Sequence, residues 1–90
     1  MLGQIKQLSA SGYVVGANDN TKIKAITLQG GSDTATLTLK EGGSGGTERL
    51  EIKAAAGTIE HLYFGEQGFM CPGAYAALSG TGPKVSFVLV

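Results

Sequence analysis

Residues 34–54 read Thr-Ala-Thr-Leu-Thr-Leu-Lys-Glu-Gly-Gly-Ser-Gly-Gly-Thr-Glu-Arg-Leu-Glu-Ile-Lys-Ala, and this stretch decides the fold. Leu37 and Leu39 alternate with Thr36, Thr38 and Lys40. Beyond the glycines, Leu50 and Ile52 alternate with Glu51 and Lys53. A period of two is the signature of a strand with one buried face, because successive Cβ atoms point to opposite sides of a sheet. Thr and Ile favour that state, while Gly42-Gly43-Ser44-Gly45-Gly46 can follow only a turn. The expectation is a β-hairpin with its leucines and isoleucine directed inward.

The same grammar extends outward in both directions. On the N-terminal side, Lys22 to Leu28 places Ile23 and Ala25 on one face, then Ile26 and Leu28 on the other. A change of parity inside one strand predicts a β-bulge, or burial on both sides for part of the length. Before it, Tyr13-Val14-Val15 is a short run closed by Gly16 and the turn cluster Ala17-Asn18-Asp19-Asn20. On the C-terminal side, Thr58 to Phe64 sets Leu62 and Phe64 against His61 and Tyr63. Gly68 to Gly73 reads as an irregular crossing and Ala74 to Ser79 as a further strand. Lys84 to Val90 sets Val85, Phe87 and Leu89 against Val88 and Val90. An apolar strand of that kind on an open edge is an aggregation hazard, so it is expected mid-sheet or covered by a partner.

No window carries sustained helical spacing between caps. Gln4 to Ser11, with Ile5 and Leu8 three apart, is bracketed by Gly3 and Gly12 and reads as an arm or a short strand. The expected fold is therefore all-β: a single small antiparallel β-sandwich of about eight short strands. Residues 1–10 form an N-terminal arm or edge strand, and residues 11–90 form the sandwich domain.

Composition bounds the function. Ninety residues make one domain, with a thin core that a partner would help to stabilise. Seven Lys plus Arg balance seven Asp plus Glu, which leaves no basic footprint for nucleic acid and no polybasic membrane patch. Charged residues form only 16 % of the chain, low for a protein that resists self-association, so a homo-oligomer is expected. Fifteen glycines without a period of three fit many tight turns rather than collagen. One cysteine, Cys71, allows no intramolecular disulfide. Residues 1–17 contain no apolar run of signal-peptide length, so synthesis in the cytoplasm without export is expected.

Apparent chemical motifs have plainer readings. Gly42-Gly43-Ser44-Gly45-Gly46 matches the nucleophile-elbow pattern, but that pattern requires a strand-to-helix turn and a downstream acid and His on an α/β sheet. Glu60 and His61 are neighbours and would face opposite ways in a strand. A phosphate cradle would need a Lys-Ser/Thr step and a following helix. A metal site at His61 would need Cys71 with Glu60 or Glu66 to converge from separate segments. Asn18-Asp19-Asn20 is a fragment of a calcium loop and reads better as a turn. No enzyme activity, cofactor or metal is expected.

Laid out in order, these elements resemble the small β-sandwich capsid decoration, or cement, proteins of tailed bacteriophages, often of jelly-roll topology. The matching segments are Lys22-Ile23-Lys24-Ala25-Ile26, Thr36-Leu37-Thr38-Leu39-Lys40-Glu41-Gly42 and Ala55-Ala56-Gly57-Thr58. Phe69-Met70-Cys71-Pro72-Gly73-Ala74-Tyr75-Ala76-Ala77-Leu78 and the closing strand Val85 to Val90 complete the set. The Gly-Ser loop departs from the acidic turn expected after the Thr-Leu strand.

The resemblance implies a virion structural protein on the outer surface of the capsid, bound to the major capsid protein and clustered there as a homotrimer. Leu2, Ile5 and Leu8 are the expected protein-contact residues of the arm, the alternative being an ordinary edge strand on its own sandwich. Tyr63 and Tyr75 are the other expected protein-contact residues. A second reading is a receptor- or carbohydrate-binding module of a fibre or tail, with Tyr13, Tyr63 and Tyr75 as the aromatics that would stack on sugar.

Overall fold

The hairpin read from residues 34–54 is present, and it anchors one of two sheets. The computed structural model describes residues 4–14 and 22–89. Its strands are β1 (Gln4–Leu8), β2 (Gly12–Tyr13), β3 (Lys22–Gln29), β4 (Ala35–Glu41) and β5 (Thr47–Ala54), followed by β6 (Ile59–Tyr63), β7 (Phe69–Met70), β8 (Tyr75–Ser79) and β9 (Lys84–Leu89). One sheet has the order β1-β9-β3-β6, with the two-residue β7 also paired to β3; the other has the order β2-β8-β4-β5. Every described pairing is antiparallel.

The chain pairs from its ends inward: β1 with β9, β2 with β8, β3 with β6, and β4 with β5. Such nested pairing, wound so that alternate pairs fall in opposite sheets, is the jelly-roll arrangement. Nine strands are described instead of about eight, because the crossing at Gly68 to Gly73 contains β7. Gln4–Leu8 is an edge strand of the larger sheet, the second of the two readings open for it. β9 lies between β1 and β3, the mid-sheet place its apolar sequence demands.

Between the sheets lies a single core built from Ile23, Ile26, Leu28, Leu37, Leu39, Ala76, Val85, Phe87 and Leu89, among others. Burying a side chain such as Phe87 or Leu37 contributes roughly 1.5–3 kcal/mol. The parity switch in β3 is a bulge: Ile23 pairs with Leu89 and Ala25 with Val88, so the register shifts at Lys24. A second bulge interrupts β4–β5, where Leu39 pairs with Leu50 but Lys40 pairs with Glu48. It leaves Arg49 as the extra residue.

Re-aiming a side chain is what a bulge does. Here the Arg49 guanidinium reaches the Glu41 carboxylate and sits 5.3 Å from the centre of the Phe69 ring. Phe69 in turn stacks on Phe64 at 5.1 Å. This cluster closes one side of the sandwich.

At one end, three loops interlock. Thr81 donates its N–H to the Asp33 carboxylate at 2.6 Å, and Ser32 N–H donates to the Thr81 carbonyl. Gly57 N–H donates to the Gly31 carbonyl. A Cβ on Gly31 would stand 1.9 Å from the Thr81 carbonyl oxygen, so only glycine allows this approach.

Candidate functional site

The two outer faces of the sandwich differ, and the difference follows from register. Residues paired across a sheet share a face. In the larger sheet, one row runs Ile5–Val88–Ala25–Tyr63 across four strands. The next row is Gln7–Ser86–Thr27–His61, and beyond it Lys84–Gln29–Ile59. The alternate residues Phe87, Ile26, Val85 and Leu28 form the core side, so these three rows form the outer side.

The first row is apolar and open: Ile5 is 71 % exposed, Tyr63 57 % and Val88 36 %. Met70 pairs with Lys22 and lies on the same outer face, since its neighbour Phe69 pairs with buried Ile23. Of the seven large hydrophobic side chains that are exposed among the described residues, five (Ile5, Ile59, Tyr63, Met70 and Val88) therefore belong to this one face.

Beside the apolar row is a shallow groove of about 340 Å3, lined by Gln7, Thr27, Gln29, Lys84 and Ser86 with Leu8, Ser9 and Val85. Thr27 Oγ1 lies 2.8 Å from His61 Nδ1 in a hydrogen bond that orients the imidazole. Gln7 Nε2 donates to Ser86 Oγ at 3.4 Å. The face thus joins an apolar stripe to a polar floor of amides and hydroxyls with one charged residue, Lys84.

The smaller sheet presents the opposite character. Its outer rows are Tyr13–Tyr75–Lys40–Glu48, Ala77–Thr38–Glu51 and Ser79–Thr36–Lys53. Threonines and charges of both signs dominate, as on an ordinary solvated sheet. Tyr13 and Tyr75 meet edge to face at 5.1 Å and 87°, a self-contained pair.

The residues expected to make contacts are thereby separated. Ile5 and Tyr63 lie in one row on the outer face of the larger sheet. Tyr75 lies on the far side of the sandwich, so it cannot share a flat partner with Tyr63. Leu8 is half-buried and packs on the protein's own core. Leu2 lies outside the described residues, as do Val15, Asn18-Asp19-Asn20 and Val90. The three tyrosines form no common platform, because Tyr13 and Tyr75 belong to one sheet and Tyr63 to the other.

Val88 and Met70 were not singled out from sequence. The signal for Val88 was present in its alternation with buried Phe87 and Leu89. Met70 had none, because its face depends on the pairing of a two-residue strand.

Ser44, Cys71 and His61 do not assemble. Ser44 sits in the β4–β5 loop, where its carbonyl accepts a hydrogen bond from Lys40 Nζ at 3.0 Å. Cys71 is fully buried with its thiol 3.7 Å from the Lys40 carbonyl oxygen. Burial pushes the thiol above its ordinary pKa; nearby Arg49 opposes this and Glu41 adds to it. His61 is on the outer face of the other sheet, occupied with Thr27. Among the described residues, no three His, Cys, Asp or Glu side chains converge as metal ligands would. Compared with protein-family models, curated proteins and solved structures, the chain matches none of them.

Proposed function

We propose that this chain is a non-enzymatic virion structural protein: a capsid decoration protein that lays the outer face of its larger sheet on the major capsid protein of a phage head. The observation that carries the reading is the asymmetry of the two faces. One is charged and threonine-rich, and the other concentrates Ile5, Val88, Tyr63 and Met70. Aromatic and aliphatic side chains gathered on one face, next to hydrogen-bonding groups but few charges, have the composition of an interface centre.

Function follows by linkage. A protein that binds only the assembled lattice stabilises that lattice, and weak contacts repeated over many copies add up. A homotrimer on the shell is part of this reading.

Quantitative mass spectrometry of purified particles tests it. A copy number approaching one per shell subunit is expected, and a handful of copies or none overturns it. Within the same reading, Tyr63→Ala and Ile5→Asp lower occupancy of the particle surface, whereas Tyr75→Ala leaves it unchanged.

One observation favours a second reading. The polar groove with Gln7, Gln29, Thr27 and Ser86 lies on the same face as Tyr63, and amides and hydroxyls beside an exposed aromatic suit a sugar. Glycan-array binding that is lost in Tyr63→Ala would move the assignment to a fibre or tail module.

A further inference from the structure

The larger sheet ends in two open edges, and their geometry is complementary. Three successive antiparallel pairings separate β1 from β6, so these two edge strands run in opposite directions. A second copy placed alongside in the same orientation would therefore bring its β1 antiparallel to β6 of the first.

The hydrogen-bonding groups also match. Phe64 N–H donates to the Lys24 carbonyl at 2.8 Å and Gly30 N–H to the Thr58 carbonyl at 2.9 Å. In an antiparallel ladder the alternate residues turn toward the neighbour. Residues 58, 60, 62 and 64 thus face β3, and Ile59, His61 and Tyr63 turn their N–H and C=O groups outward. Carrying the alternation across β3 and β9 leaves Ile5 and Gln7 outward on β1. The outward-turned residues of both edges carry their side chains on the same outer face.

The other edges are poor candidates. β5 is guarded by Glu48, Arg49, Glu51 and Lys53, and β2 has only two residues. Charge and brevity are the usual protections of an edge. β6 has all five residues exposed, including Ile59, Leu62 and Tyr63.

We propose that copies of this chain associate edge to edge, β1 of one adding antiparallel to β6 of the next, with Ile5 of the incoming strand opposite Tyr63 and Gln7 opposite His61. In this register an aromatic meets a β-branched residue, one of the favourable cross-strand pairs. Lys6 of the incoming strand lies opposite Leu62 and diagonal to Glu60, within reach for a long side chain. Neither Lys6 nor Glu60 has an ion-pair partner among the described residues. The aliphatic stem of Lys6 covers Leu62, which is 37 % exposed, while its ammonium reaches the carboxylate. The apolar row then runs without a break from one copy to the next. Because the contact is head to tail, it closes into a ring or extends as a chain.

Sedimentation velocity of the full chain alone, over a concentration series, tests the pairing. The wild type is expected to self-associate. Gln7→Pro and His61→Pro each remove one outward N–H that no strand inside the molecule uses, so both keep the wild-type far-UV circular dichroism and run as monomers. Lys6→Glu and Glu60→Lys each weaken association by roughly two- to fivefold, and combining them in one chain restores it.

A wild type that is monomeric at every soluble concentration overturns the proposal. So does association that survives Gln7→Pro, including the case where only His61→Pro abolishes it, which would mean a symmetric β6–β6 dimer. If the proline variants do not fold, failure of the double charge exchange to restore association overturns it instead. No shell takes part in these measurements, so their failure leaves docking to the capsid standing, and absence from particles leaves the edge pairing standing.

Discussion

Two glycines in the same chain separate backbone necessity from backbone tolerance. A methyl group at Gly31 would collide with the Thr81 carbonyl and the Gly82 backbone where three loops interlock, and neither can yield independently. Gly45 has open space around it and no positive φ. Chemical denaturation is therefore expected to show Gly31→Ala losing about 2–4 kcal/mol and Gly45→Ala staying within about 0.5 kcal/mol of wild type. Cys71 makes a second residue-scale test. Its folded pKa is raised by burial, so its contribution to stability is intact below the ordinary thiol pKa and is lost as pH rises toward the raised value. Stability measured from pH 7 upward should fall more steeply for the wild type than for Cys71→Ala. Alkylation at neutral pH should require opening of the fold around Cys71 and so be far slower than for a free thiol.

At the scale of elements, bulges and edges carry the information. The β5 bulge sends Arg49 across to Glu41 and Phe69, so one side chain ties the smaller sheet to β7 of the larger. The ion pair is partly exposed and screened, and the cation–π contact adds to it. Arg49→Ala should cost about 1 kcal/mol by denaturant titration, and Lys at this position should recover little of it, because an ammonium lacks the planar fork. Core positions set the larger scale of effect: Leu37→Ala, between the sheets, should cost about 2–5 kcal/mol. Strand type was readable from residues 34–54 because a half-buried strand writes its period directly into the chain. The irregularity in β3 was readable for the same reason, since Ile23 is out of phase with Ile26 and Leu28 although all three face the core. Ala25, expected on the face of Ile23, lies instead in the outer row with Val88 and Tyr63, because the bulge at Lys24 turns it over. The bulge in β5 was not, since Arg49 beside Leu50 leaves the alternation of Leu50 and Ile52 undisturbed.

For the whole molecule, the described part of the chain measures 35 × 27 × 17 Å, and its two broad faces have different characters. Replacing Val88 with Asp is the discriminating change. Val88 lies mid-sheet on the outer face, so the substitution should leave the fold largely intact by circular dichroism and, under the proposed decoration of a phage shell, reduce occupancy of purified particles. An equivalent charge at Thr38, on the outer face of the smaller sheet, should leave occupancy unaltered. The candidate face was only partly legible beforehand: Ile5 and Tyr63 are far apart in the chain, and their shared row exists only because β9 and β3 lie between them. Leu8 looked like an arm residue but packs inward, because β1 pairs with β9 and its parity then directs Leu8 at the core.

The sequence by itself determined what local pattern can determine: the all-β class, the central hairpin, an irregularity in β3 that is either a bulge or two-sided burial, and the need to place Lys84 to Val90 inside a sheet or under a partner. Each depends on the alternation of side chains along one strand, or on glycine where the chain reverses. Only the tertiary structure decided which strands are neighbours, and with that which exposed side chains form one surface. Pairing partners lie up to the full length of the chain apart, as β1 and β9 do, and no local pattern encodes them. The nested order that puts Ile5, Val88, Ala25 and Tyr63 in a single row, and sends Tyr75 to the opposite face, follows from burying both sets of inward side chains in one core.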